Sequence, residues 1–245
     1  MVNSIKDIGL FLRSLVFSII FLISLVFFSL LSIIVRPLPE RIHYPLVTAW
    51  ARLNIWVLKV VCGVKYQVEG TEHLPQGTAI ALVNHQSTWE TMALTFILPP
   101  QVWVLKKELL RLPFFGWGAT TLKAIAIDRR AGRNAVEQMI EQGRNRLKSG
   151  KWVVIFPEGT RVAPGEKRRF KLGGAILSAQ TGYPVVPVAH NAGKAWPRQQ
   201  FIKRPGLITV RIGPVIKPEG LEAAQINQQA EAWIRAQVEQ LEAQD

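Results

Sequence analysis

A histidine is followed five residues later by a carboxylate where an apolar run ends, in Val83-Asn84-His85-Gln86-Ser87-Thr88-Trp89-Glu90. An imidazole whose second nitrogen is held by a carboxylate is a general base for a hydroxyl or water proton, a device worth roughly 10² to 10⁴ in rate. On one continuous helix, positions five apart point about 140° away from each other, so His85 and Glu90 can meet only if a turn at Gln86 and Ser87 precedes the helix. Ser87 suits the N-cap of such a helix. The same letters carry a blander reading, because Ser87-Thr88-Trp89-Glu90 fits a capping box in which Glu90 only satisfies a backbone amide. His85 can equally be a hydrogen-bonded structural histidine. Spacing alone leaves both open.

Three further blocks carry charge or unusual backbone. Phe156-Pro157-Glu158-Gly159-Thr160-Arg161 also closes an apolar run; Gly159 permits a tight turn and Arg161 can fork two donors onto a phosphate, although a plain Pro-Glu-Gly turn reads the same. Lys106-Lys107-Glu108-Leu109 leads into the aromatic loop Leu112-Pro113-Phe114-Phe115-Gly116-Trp117, or into a solvated lysine pair beside core aromatics. Val185-Val186-Pro187-Val188 by itself says only buried strand. There is no Walker A loop, no H-E-x-x-H and no G-x-S-x-G. Gly116-Trp117-Gly118 lacks the third glycine of a dinucleotide fingerprint, and four histidines with one cysteine give no zinc spacing.

The elements that must position these residues are short apolar runs at 79–83, 102–105, 124–127, 153–156, 185–189 and 208–212, interleaved with helical patterns. Val136, Met139, Ile140 and Leu147 recur at helical spacing over 130–148, a second helix begins near Gly173, and residues 221–245 read as a polar, acidic terminal helix. Strands alternating with helices predict an α/β domain: a mixed, largely parallel sheet flanked by helices, spanning 66–245. In such sheets ligands gather beyond the carboxyl ends of the strands, where His85 and Glu158 both fall.

Residues 1–65 read as an N-terminal membrane appendage. The uncharged run 14–35 would form a helix of roughly 33 Å, enough to cross a hydrocarbon core, and it outlasts the apolar part of a signal peptide. After Pro37 and Pro39, residues 45–61 carry Arg52 and Lys59 on one face and Leu46, Trp50, Leu53, Val57, Val60 and Val61 on the other, as in a helix lying among headgroups or packed on the globular domain. Two cations precede the span and Arg36, Arg41, Arg52, Lys59 and Lys65 follow it, which predicts a catalytic part on the cytoplasmic face of the inner membrane.

Composition narrows the partners. With 245 residues, 49% hydrophobic and 19% charged, the chain is neither disordered nor a coiled coil, and the single Cys62 excludes an internal disulfide. The net charge of +13 is concentrated in 66–220, which hold 22 Lys+Arg against 10 Asp+Glu, whereas 221–245 carry one Arg against five acids. Such a field draws anionic lipid, phosphorylated or acidic small partners, or nucleic acid. Glu166-Lys167-Arg168-Arg169-Phe170-Lys171 could grip a donor or a lipid surface, or be a solvated loop. No nucleic-acid reading motif accompanies the basic residues, so nucleic acid is not expected as a partner.

These four blocks in this order resemble the glycerolipid acyltransferase family, most closely its 1-acyl-glycerol-3-phosphate acyltransferases, over about residues 74–215. The resemblance implies that His85 is the base that deprotonates the acceptor hydroxyl and that Glu90 orients it, although the family more often has Asp at that place. It implies that Lys106 and Arg161 hold the acceptor phosphate, that Glu158, Gly159 and Thr160 shape the same pocket, and that Phe114, Gly116, Val185 and Pro187 wall the acyl chain or the donor. It implies no bound cofactor, with acyl-CoA or acyl-acyl carrier protein as co-substrate, and lysophosphatidic acid in the bilayer as acceptor. The motifs would equally serve glycerol 3-phosphate or another lysolipid. A non-catalytic membrane-surface or nucleic-acid-binding module is the alternative from another class.

Overall fold

The computed structural model describes residues 5–244. The chain opens with a helical hairpin, α1 (Ile5–Ile34) and α2 (Glu40–Cys62), broken at Pro37 and Pro39 and closed by Gly63, whose left-handed φ of 71° lets its N–H cap the Lys59 carbonyl. There follow β1 (Val64–Glu69), β2 (Ile80–Val83), α3 (Trp89–Ile97), β3 (Gln101–Lys106), α4 (Phe115–Thr121), β4 (Ile125–Ile127) and α5 (Arg133–Lys148). The chain then runs through β5 (Trp152–Ile155), α6 (Gly173–Thr181), β6 (Val185–His190), α7 (Ala192–Ala195), β7 (Gly206–Ile212) and α8 (Ala223–Ala243).

The strands form one sheet in the order β1-β7-β6-β2-β5-β3-β4, and β6–β7 is its antiparallel pair, so the fold is α/β with a mixed, mostly parallel sheet. Alternation of side chains splits the core in two. Ala81, Val83, Val154 and Val186 face α2 and α3, while Ile80, Leu82, Val153 and Val185 face α5, α6 and α8. The terminal helix is polar outside but buries Ile226, Ala230, Ile234 and Leu241.

Six strands fall where the apolar runs lie. The seventh, β1, begins at Val64, two residues inside the segment assigned to the membrane appendage, and pairs with β7 at the sheet edge. α2 buries Val47, Ala51, Asn54, Ile55, Val57 and Leu58, and of its apolar stripe Val57 is buried while Leu46, Leu53 and Val60 are exposed. Its inner face is small and polar: Asn54 Nδ2 donates to Ser24 Oγ at 3.1 Å, Trp50 Nε1 donates to the same oxygen at 3.2 Å, and Ser14, Ser29 and Ser32 are buried. The outer face carries Leu22, Ile23, Phe27, Leu30 and Ile34 exposed, and both helices are long and apolar enough to cross a membrane by length and composition. Serines and Asn54 between the helices with large apolar side chains turned outward is the arrangement of a lipid-facing hairpin.

The hairpin is held on the α/β domain at both ends. Near the start of α1, Ser14 Oγ accepts the Lys203 N–H at 2.9 Å and Phe17 meets Trp196 edge-on at 5.3 Å. Lys203 Nζ lies over the rings of Phe17, Trp196 and Phe201. At the hairpin tip Glu40 pairs with Lys123 and Lys151, and Val35, Tyr44 and Val47 pack on Leu122.

Candidate active site

Four adjacent parallel strands, β6, β2, β5 and β3, deliver their carboxyl ends to one place, and this adjacency assembles the site. β2 sets down Asn84 and His85, β5 sets down Phe156 to Arg161, β3 ends in Lys106, and β6 ends in His190. Because β2 and β5 are register neighbours through Ile80↔Val153 and Leu82↔Ile155, the residues after them must touch. His85 stacks on Phe156 with centroids 4.1 Å apart, its N–H donates to Glu158 Oε2 at 2.6 Å, and its carbonyl accepts the Val162 N–H at 2.7 Å.

The turn required between His85 and the helix is present: α3 begins at Trp89, and Glu90 points back. Glu90 Oε1 lies 2.8 Å from His85 Nδ1 and accepts the N–H groups of Gln86 at 3.0 Å and Ser87 at 2.8 Å. The capping and orienting readings therefore describe the same atom. With Nδ1–H donated to Glu90, Nε2 is the unprotonated nitrogen left to take a proton. Burial pushes the Glu90 carboxyl upward, and the imidazole of His190, the hydrogen bond and charge of His85 and the Ser87 amide more than offset it, so the carboxyl stays below its ordinary range.

His85 opens onto a cavity of about 410 Å³. Its lining carries Lys106 and Arg161 beside Gly159 and is otherwise mostly apolar, with Met92, Leu105, Phe115 and Leu122, Phe21, Leu25 and Phe28 of α1, and Val47 and Ala51 of α2. Arg161 Nε is buried without a hydrogen-bond partner among the described residues, and burial lowers the guanidinium's proton affinity. A phosphate would satisfy that donor. The arrangement can deprotonate a hydroxyl, seat an anion beside it and sheath a long apolar chain.

The acyltransferase family model matches residues 65–191, which contain all four blocks. The chain belongs to this family. A 1-acyl-sn-glycerol-3-phosphate acyltransferase of Pseudomonas aeruginosa is 44% identical over 228 residues, covering 91% of this chain and 89% of the relative. One of Saccharomyces cerevisiae is 32% identical over 186 residues, covering 74% of this chain and 61% of the relative. The crystal structure of the 1-acyl-sn-glycerophosphate acyltransferase of Thermotoga maritima superposes with a TM-score of 0.82 at 24% identity, covering 98% of this chain and 99% of that one.

Within this acyltransferase, the expected site residues divide. His85, Lys106, Gly159 and Arg161 share the cavity lining, and Glu90 and Glu158 reach it through their hydrogen bonds to the His85 ring and backbone N–H. Burial, with the charge of Glu90 added, pushes the Glu158 carboxyl up to about 8 against the pull of the His85 N–H and two arginines. Thr160 is not part of the cavity lining. Neither are Phe114, Gly116, Val185 and Pro187, the expected acyl wall. Val185 is buried in the core between the sheet and α8, and Pro187 lies against Gly213. Phe114 and Gly116 shape the lining indirectly. Phe114 takes φ 64°, ψ −64° in a γ-turn closed by Phe115 N–H to Pro113 O, and a side chain at Gly116 would strike the Leu110 carbonyl. Together they aim Phe115, Gly118 and Ala119 into the cavity.

Sequence reasoning missed the α1 and α2 residues that line the cavity, although Phe21, Leu25 and Phe28 recur at helical spacing. It also passed over Asn84 and His190, whose signal was a polar residue closing an apolar strand.

Proposed function

We propose that this chain is a 1-acyl-sn-glycerol-3-phosphate acyltransferase that moves a fatty acyl group from acyl-CoA or acyl-acyl carrier protein to lysophosphatidate, giving phosphatidate. The observation that carries the reading is one cavity joining the free nitrogen of His85, the cations Lys106 and Arg161, and an apolar bore floored by the membrane hairpin. His85 Nε2 takes the acceptor hydroxyl proton as its oxygen attacks the thioester carbonyl. The tetrahedral intermediate collapses, the carbon–sulfur bond breaks, and the imidazolium returns the proton to the departing sulfur. Glu90 stays ionised and stabilises the imidazolium without taking its proton. Lys106 and Arg161 hold the acceptor phosphate, and no bound cofactor enters the chemistry.

The hairpin supports a seat in one leaflet, since both its ends are fastened to the α/β domain and its outer face is apolar. The cation excess after α1 supports the cytoplasmic leaflet of the inner membrane.

The test is product analysis by mass with purified enzyme, lysophosphatidate or glycerol 3-phosphate as acceptor, and acyl-CoA or acyl carrier protein as donor. Phosphatidate should form, His85→Ala should abolish it, and Arg161→Ala should chiefly raise KM for the acceptor. Turnover with glycerol 3-phosphate alone, or a working His85→Ala enzyme, overturns the reading.

A further inference from the structure

Glu90 is fully buried, and only one of its oxygens is hydrogen-bonded. Oε1 serves His85, Gln86 and Ser87, whereas Oε2 has no hydrogen-bond partner among the described residues. A buried carboxylate oxygen with no donor disfavours the charged form unless a positive or polar edge faces it. What faces it is His190, also fully buried, with Nε2 3.9 Å from Glu90 Oε2.

The orientation of that ring is fixed on both sides. Its Nδ1 accepts the Ala192 N–H at 3.2 Å, so the proton sits on Nε2, which donates to the Asn84 carbonyl at 2.8 Å. Asn84 returns two bonds to the His190 backbone, Nδ2 to its carbonyl at 2.9 Å and Oδ1 from its N–H at 3.0 Å. That proton is spent on the Asn84 carbonyl, so what lies 3.9 Å from the open side of the carboxylate is the polar Nε2 edge of a neutral imidazole, and the residue that fixes it, Asn84, immediately precedes His85.

We infer that His190 is a positioning residue for acyl transfer: the positive Nε2 edge of its ring, held by Asn84, keeps Glu90 ionised and turned toward His85. The inference rests on the reading of His85 as the base. It explains how a carboxylate with no contact to solvent remains charged while His85 is still a neutral base. Burial keeps His190 itself below the ordinary histidine range, so it does not compete for the proton. The other ionisable groups with electrostatic reach to this pair are His85, Arg161 on the β5–α6 loop, Glu158 beside it, and Glu242 of α8.

The test compares the full-length enzyme with His190→Leu, His190→Gln and His85→Ala. His190→Leu should lose a tenfold or larger part of the roughly 10² to 10⁴ that a positioned base supplies, in kcat, with KM for acceptor and donor changed less than about twofold. Without the polar Nε2 edge Glu90 protonates at higher pH, so the acid limb of the kcat profile should move upward. His190→Gln, which restores an N–H at similar reach, should bring the limb back. A folded His190→Leu enzyme with wild-type kcat, or with lowered kcat and an unmoved acid limb, overturns the inference. Should His190→Leu not fold, His190→Asn, whose amide is too short to face Glu90, takes its place and must show the displaced limb; an unmoved limb overturns the inference. Turnover by His85→Ala would instead remove the base itself, a separate failure.

Discussion

Glu90 Oε1 accepts three hydrogens at once, from His85 Nδ1 at 2.8 Å and from the backbone of Gln86 and Ser87, so the atom that shapes the turn after β2 also aims the His85 imidazole. The two duties can be separated by substitution. In Glu90→Gln the amide oxygen still accepts from the turn, but the charge opposite the imidazolium is gone. We expect kcat to fall by roughly 10² or more with the unfolding midpoint lowered by only a few degrees. Glu90→Asp, one methylene shorter from a fixed helix start, should lose either the turn or His85. Paired kcat and thermal unfolding measurements decide. A Glu90→Gln enzyme that is only less stable would mean that the carboxylate is a cap and nothing more.

Glu158 should be neutral at pH 7, because its carboxyl is pushed up to about 8 by burial and by the nearby Glu90 charge. The sign follows from linkage: a folded value above the ordinary 4.5 gives stability that is complete below that value and is lost as pH rises through about 8. Glu158→Gln copies the neutral acid, keeps an acceptor for the His85 N–H, and should flatten that loss while retaining most of kcat. Glu158→Ala removes the acceptor and should lower kcat. Denaturant unfolding of wild type and Glu158→Gln from pH 5 to 9 checks it; parallel pH curves would refute the buried neutral carboxyl.

How far the sequence could reach depended on whether a feature was local. Continuous apolar runs disclosed six strands, and a polar residue closing each of two of them disclosed His85 and Glu158. β1 escaped because Lys65, Gln67 and Glu69 alternate with Val64, Tyr66 and Val68 on a half-exposed edge strand directly after a helix. On α2 apolarity does not mark burial, as in a lipid-facing helix: Val60 is 62% exposed while Asn54 is wholly buried. Val185 and Pro187, expected from the resemblance to wall the acyl chain or the donor, do not line this cavity. Those residues are apolar because they fill the sheet interior, whereas the cavity is lined from α1, α2, α3, β3 and α4, which no single stretch of sequence brings together.

Gly159 is required twice. Its φ is 74°, and a methyl group there would lie 3.0 Å from Lys171 Nζ and 3.1 Å from its Cε. The Lys171 side chain thus crosses the turn that carries Arg161, at the cationic part of the cavity. Gly159→Ala should strain the turn, displace Lys171 and raise KM for lysophosphatidate severalfold, beyond any change in donor KM. Lys171→Met, which keeps the bulk and removes the charge, should raise acceptor KM in the same direction without the loss of stability. If acceptor KM is unmoved in both variants, Gly159 serves the backbone alone.

The last turn of α8 reaches the back of the turn after β2. Glu242 Oε1 accepts from Gln86 Nε2 at 2.7 Å, its Oε2 accepts the Gly165 N–H at 3.0 Å, and Gln86 Oε1 in turn accepts the Gly193 N–H at 3.1 Å. Gln86 is buried, and its own N–H is one of the three that Glu90 holds. A carboxylate at the far end of the chain thereby fixes the residue next to His85 and ties it to the loop after Arg161. Glu242→Ala leaves the Gln86 amide with a buried, unpaired donor, a loss of about 1 to 3 kcal/mol. We expect a lower unfolding midpoint together with a severalfold drop in kcat at nearly constant KM, and Glu242→Gln, which can keep only one of the two bonds, should fall between. Because the bonds end on the turn after β2, stability and kcat should fall in step across the two variants. A stability loss at unchanged kcat would show that α8 merely covers the sheet.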